Sequence, residues 1–173
     1  MEYSGMQSVA KGPAAQSVSE NTPSMPNPQA AAEKSLSADQ LFAMAKMAYT
    51  QWEYGKLERA RTIFQTLVMQ KPNEPWFRCA LGSIYQRQKQ FAAALQQYNI
   101  ALQINARDIP SRVNRGEIHL KIGKQQEAIN DLMYAVKADA TGKHPSALRA
   151  KSLLKAISLN PKNNPRGIPN GVV

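Results

Sequence analysis

Apolar residues recur at helical spacing through Pro75 to Asp108, PWFRCALGSIYQRQKQFAAALQQYNIALQINARD. Leu81, Gly82 and Tyr85 share a face of the first half, and Ala94, Tyr98 and Ala101 share a face of the second. The stretch therefore predicts two amphipathic helices joined by a short turn. Small Gly82 and Ala94 let the two axes approach closely, with Tyr85 and Tyr98 filling the space beside them. Sliding the sequence in either direction by the separation of Ala60 and Ala94 brings up the same pattern. Ala60, Ala94 and Ala128 align, as do Phe64, Tyr98 and Leu132, then Ala48, Gly82 and Gly116, and then Leu67, Ala101 and Ala135. Three copies without an insertion mark an array in which each helix pair buries its apolar face against the next.

Punctuation along the chain agrees with that division. Ser37 and Gln40 have the spacing of a capping box, which starts the first helix. Pro72 closes the first pair, because the residue before a proline is pushed out of the helical region. Pro75 and Pro110 open the second and third pairs, in the first turn where proline is tolerated. Gly55 and Gly123 mark the turns inside pairs one and three, and Lys89 stands at that place in pair two. The last pair of an array needs a cover for its exposed face. Residues 145–159, PSALRAKSLLKAISL, are expected to supply it, with Leu148, Leu153, Leu154 and Ile157 turned inward and Arg149, Lys151 and Lys155 turned to water. Residues 1–35 are rich in Ser, Pro, Ala and Gln and are expected to be disordered, since they lack the apolar surface that offsets ordering entropy. Residues 160–173, with three prolines and two glycines, read as an extended basic tail.

A helix-turn-helix of this period with Leu-Gly, a Tyr at the third position after the Gly, then Ala, an aromatic and a closing Pro resembles the tetratricopeptide repeat. The resemblance spans Leu41 to Gly142, with repeats at about 41–74, 75–108 and 109–142 inside a domain of 36–159. Met44 and Arg78 stand where that family often has Trp. The implied fold is all-α: three tandem repeats and a capping helix in an α-solenoid.

Charge changes the picture less than its size suggests. The formal net charge is +10, but the last stretch from Lys143 carries six basic residues and no acid. Lys143, Arg149, Lys151, Lys155, Lys162 and Arg166 leave open an adaptor for nucleic acid or acidic surfaces. The lack of aromatics among them argues against stacking on bases. One cysteine, Cys79, excludes an internal disulfide and fits a reducing compartment. No apolar run approaches the ~20 residues of a membrane helix, and no secretory signal is visible, so the expected location is the cytoplasm.

Catalysis finds no support in the residues. His119 and His144 have no second ligand at metal spacing, and His119 takes a repeat position held elsewhere by Gln51 and Tyr85, which marks it as a packing residue. A phosphate-binding glycine loop and a paired-carboxylate motif are both absent. No cofactor, no metal and no enzymatic activity are expected. A stacked array instead presents a concave surface lined by the first helix of each pair. From repeat one the lining is predicted as Phe42, Ala45, Tyr49 and Trp52. Repeat two adds Trp76, Cys79, Ser83, Gln86 and Arg87, and repeat three adds Val113, Glu117 and Lys121. Such an aromatic groove suits an extended peptide bearing proline or leucine. Tetratricopeptide domains of chaperone cofactors clamp a carboxyl terminus with Lys and Asn, but Ala45 and Tyr49 occupy the first two such positions here.

The stretches YTQWEYGKLERARTIFQTLVMQKP and ALGSIYQRQKQFAAALQQYNIAL are similar to the class II chaperones of type III secretion systems. That resemblance implies a protein client, a secretion-pore translocator, held by a Pro-x-Leu-x-x-Pro-like segment in the concave groove. A homodimer stays open, as does a general scaffold of a secretion or pilus assembly that shares the groove but not the client.

Overall fold

The computed structural model describes residues 36–159; the leader 1–35 and the tail 160–173 lie outside the described residues. Among the described residues there are seven helices and no strand. In order these are α1 (Ala38–Glu53), α2 (Leu57–Gln70), α3 (Pro75–Arg87), α4 (Phe91–Ile104), α5 (Ile109–Lys121), α6 (Gln125–Ala138) and α7 (Pro145–Ser158). Helix α1 starts at the capping box: the Gln40 N–H donates to Ser37 Oγ at 3.3 Å and the Ser37 N–H donates to Gln40 Oε1 at 2.9 Å. Asp108 caps α5 by accepting from the Ser111 N–H at 2.9 Å, and the His144 imidazole caps α7 by accepting from the Ser146 N–H at 3.2 Å.

Each turn within a hairpin is built alike. The N–H groups of Lys56, Gln90 and Lys124 donate to the carbonyls of Gln51, Tyr85 and His119 at 2.8, 2.9 and 2.8 Å. Those of Gly55, Lys89 and Gly123 donate to Trp52, Gln86 and Leu120 at 3.0, 3.1 and 3.2 Å. This is the Schellman pattern, which needs a left-handed residue after the helix cap. Gly55 and Gly123 meet that need at φ 73° and 77°, and Lys89 meets it at φ 61° with a side chain that makes the conformation costly.

Helices pack on their sequence neighbours, α7 lies against both α6 and α5, and α3 also touches α5. Repeat-equivalent positions form the core: Ala60, Ala94 and Ala128, and Phe64, Tyr98 and Leu132, are all buried. In the second and third hairpins a glycine on the first helix faces a large residue on the second. A Cβ added at Gly82 falls 2.6 Å from Tyr98 Cε1, and one added at Gly116 falls 3.2 Å from Leu132 Cγ. Tyr98 is thus the wedge that sets the spacing of α3 and α4.

Arg78 and Arg112 have their own partners within the hairpins. Arg78 donates to Gln97 Oε1 at 3.2 Å. One repeat on, Arg112 and Arg115 enclose Asp131, whose side chain is only 5% exposed. Arg115 binds it with two bonds, of 2.8 and 2.6 Å. His119 Nδ1 lies 3.6 Å from the same carboxylate; burial lowers the pKa of this imidazole, with Asp131 acting in the opposite direction. His119 is accordingly a partner of the hairpin interior.

Helix α7 departs from its expected orientation in part. Leu154 and Ile157 are buried, as are Ala147 and Ala150, but Leu148 is exposed; Arg149 is exposed as expected and also lines the groove formed with α3 and α5. No described helix is long and apolar enough to cross a membrane.

Candidate functional site

The first helices of the hairpins, α1, α3 and α5, together with the start of α7, line a groove of about 450 Å³. Its two ends differ in chemistry because the lining changes from repeat to repeat. At the α1 end Tyr49 is the hub of an aromatic cluster, with ring centroids 5.8 Å from Trp52, 5.5 Å from Phe64 and 5.7 Å from Trp76. Trp76 stays 44% exposed although its ring lies 4.9 Å from that of Phe77, because α3 turns Phe77 inward and Trp76 towards the groove. Ala80 and Ile84 continue this apolar wall.

Towards α5 the wall becomes a polar network. The Tyr98 hydroxyl reaches through from α4, donating to Gln86 Oε1 at 2.8 Å, with Ser83 Oγ 3.3 Å away. Gln86 Nε2 donates to Glu117 Oε2 at 3.1 Å, and Arg149 Nε pairs with Glu117 Oε1 at 2.8 Å. Arg149 also donates to Asn114 Oδ1, and Asn114 Nδ2 donates to Ser83 Oγ at 3.1 Å. Four helices are joined by this ring of side chains, and α7 closes that end of the groove with Ser146 and Arg149.

The ionisable groups on the aromatic and thiol-bearing wall are held neutral. Burial pushes the Cys79 thiol up to about 11 and raises the Tyr98 and Tyr49 hydroxyls above their ordinary range. A thiol so placed is a packing group at neutral pH rather than a nucleophile. Among the described residues no group of three His, Cys, Asp or Glu is arranged to hold a metal ion. What the site offers is an open apolar slot with fixed hydrogen-bonding groups beside it, which is equipment for binding.

Nine of the residues expected to line the groove do so: Tyr49, Trp52, Trp76, Cys79, Ser83, Gln86, Arg87, Glu117 and Lys121. Three do not. Phe42 has the repeat position of Trp76, but among the described residues no hairpin precedes α1 for it to lie on, and it is 73% exposed outside the groove. Ala45 is buried in the core of the first hairpins, and Val113 is buried with Ala150 and Leu154 of α7. Asn114 on the next residue of α5 faces the groove in place of Val113. Sequence reasoning also missed Phe64, Ala80, Ile84, Pro110, Ser146 and Arg149. Pro110 stands one repeat after Trp76, and the same slide could have found it. Phe64 comes from a second helix, and the α7 pair depends on how that helix docks.

The tetratricopeptide repeat family matches residues 77–108 and 109–141. The Low calcium response locus protein H of Yersinia pestis is 28% identical over 126 residues, which cover 72% of this chain and 75% of that protein. The Hsp70-Hsp90 organizing protein 2 of Arabidopsis thaliana is 33% identical over 75 residues; these are 43% of this chain, which spans only 13% of that longer relative. The fold is similar to the Yersinia enterocolitica secretion chaperone SycD solved with a peptide of the translocator YopD, at a TM-score of 0.66 and 26% identity, covering 73% of this chain and 98% of that one. With its tandem hairpins, Schellman turns and these likenesses, the chain carries tetratricopeptide repeats over residues 77–141 and resembles the class II translocator chaperones of type III secretion systems.

Proposed function

We propose that this protein is a chaperone that holds an extended apolar segment of a type III secretion translocator in the groove, in the cytoplasm, until the client is exported. The observation that carries the reading is the slot beside Tyr49, Trp52, Phe64 and Trp76, open to solvent along α3 and bounded by α7. Leucine or proline side chains of an extended segment fit between those rings, and Ser83, Gln86 and Asn114 are placed to meet its backbone. The complex of the similar SycD with a YopD peptide supports a client of this kind. The action is passive: a segment that would otherwise aggregate is buried, and mass action keeps it bound without nucleotide or chemistry. On this reading residues 36–159 are the binding unit.

Co-expression with a translocator, followed by pull-down, tests the proposal. Trp52→Ala with Trp76→Ala removes two groove aromatics while leaving Tyr49, the hub of the cluster, in place. Loss of anchors of this size is expected to weaken capture at least about ten-fold. Capture equal to that of the unaltered protein, with the helical circular-dichroism signal intact, would remove the groove from the account.

A further inference from the structure

The charged residues on the groove are not balanced, and the structure shows which of them are already committed. Three cations, Arg87, Lys121 and Arg149, line it with one carboxylate, Glu117. Glu117 accepts from Gln86 at 3.1 Å and pairs with Arg149 at 2.8 Å, so the acid and one of the cations satisfy each other. Arg87 and Lys121 are left. Arg87 lies over the face of Trp52 at 5.4 Å and reaches the Trp52 carbonyl at 3.5 Å, while Lys121 lies 5.7 Å from the Phe91 ring centroid. Neither forms an ion pair among the described residues. They hold the same repeat position on the last turns of α3 and α5, and both are exposed. In the first hairpin that position is Glu53, which does not line the groove.

From this we infer that the groove selects a client segment carrying an aspartate or glutamate beside its apolar anchors, and that Arg87 and Lys121 receive that carboxylate. The inference rests on the peptide-binding reading above and adds orientation to it. Apolar anchors enter the aromatic α1–α3 end, and the acid points towards α5, because the equivalent position on α1 is Glu53 and offers no cation. Apolar contacts supply most of the affinity, and rim charges set register and choice of partner. Neighbouring helices are roughly 9 Å apart and an extended chain advances about 3.3 Å per residue, so the acid falls within about three residues of the nearest anchor. A side chain rather than a chain end is the source of the carboxylate, since both cations stand on the rim, where a side chain leaning out of a continuing segment meets them.

The probes are synthetic peptides, acetylated and amidated, with a Pro-x-Leu-x-x-Pro core and one glutamate outside either proline, each matched by a glutamine version. Binding is read from the protein's fluorescence, since both of its tryptophans, Trp52 and Trp76, line the groove. The glutamate peptide of one flank is expected to bind up to about five-fold tighter than its glutamine match at low salt, from exposed pairing with these rim cations. The gap should close in about 0.5 M salt. Arg87→Glu with Lys121→Glu should abolish or invert it, read as the ratio of glutamate-peptide to glutamine-peptide affinity within that variant. Lys151→Glu with Lys155→Glu, on the exposed face of α7, should leave it in place. Equal binding of glutamate and glutamine peptides, or a gap that survives the Arg87 and Lys121 changes, overturns this inference and leaves the groove reading standing. A preference seen only with a free carboxyl terminus also overturns it, in favour of terminal recognition. Failure of every peptide to bind removes both.

Discussion

Gly82→Ala is the smallest change that tests how the groove is held open. The added methyl carbon meets three atoms of the Tyr98 ring, at 2.6, 2.9 and 3.0 Å. That ring is fully buried and its hydroxyl is tied to Gln86, so it has little freedom to move aside. Helix α3 must therefore shift by several tenths of an ångström. Overpacking of this kind costs about 1–3 kcal/mol, and the gain from replacing glycine in a helix offsets about 0.5–1 kcal/mol. The net expectation is a loss of about 1–2 kcal/mol, read as a lower urea midpoint by circular dichroism. Gly116→Ala is the milder comparison: its methyl would lie 3.2 Å from Leu132 Cγ and 3.4 Å from the Ala128 carbonyl oxygen, a smaller overlap than at Tyr98, so the same substitution should cost less. Making Tyr98→Leu in the Gly82→Ala protein gives the second hairpin the smaller partner of the third and should recover part of the loss. The displaced helix carries Trp76, Ser83, Gln86 and Arg87, so peptide affinity should fall along with stability. A Gly82→Ala protein as stable as the parent would refute the close-packing argument.

Three further outcomes are expected. Lys89→Gly relieves a left-handed residue at φ 61° and should stabilise the protein by about 0.5–1 kcal/mol in the same denaturation assay, since the equivalent turns already use glycine. Asp131→Ala leaves Arg112 and Arg115 without their shared carboxylate in a nearly closed site and should cost about 3 kcal/mol, measured as a fall in urea midpoint. Cys79, with its thiol pushed up to about 11 by burial, should react with iodoacetamide at mildly alkaline pH far more slowly than in the urea-unfolded chain. The linked effect on stability has a definite sign: the unfolded thiol ionises first, so stability falls as pH rises from about 9 towards about 11, and Cys79→Ser should remove that part of the slope.

The groove aromatics show how far the sequence pattern reaches. Tyr49, Trp52 and Trp76 were legible because a residue's face on a helix follows from its number and the repeat period. Phe42 has the same credentials as Trp76, and differs in having no hairpin before it among the described residues. Period assigns a face, but a neighbour decides whether that face is covered. Val113 fails for the complementary reason: α7 supplies a neighbour where the pattern expected open surface.

Arg149 marks the same limit in the electrostatics. Its place on an amphipathic helix reads as solvent-facing, and it is exposed, but it also lines the groove and binds Glu117 and Asn114. Helix α6 ends at Ala138 and α7 begins at Pro145, a longer connection than the one between Ile104 and Ile109. Helix α7 therefore starts two residues later than the repeat spacing of the earlier first helices would place it. The sequence alone determined the helices, their caps and turns, the repeat and the small-against-large pairs of the core, because these depend on contacts within one turn or one hairpin. Which cations remain free, where the groove ends and which aromatics stay open were decided only when the hairpins stacked, because each depends on side chains brought together from different repeats.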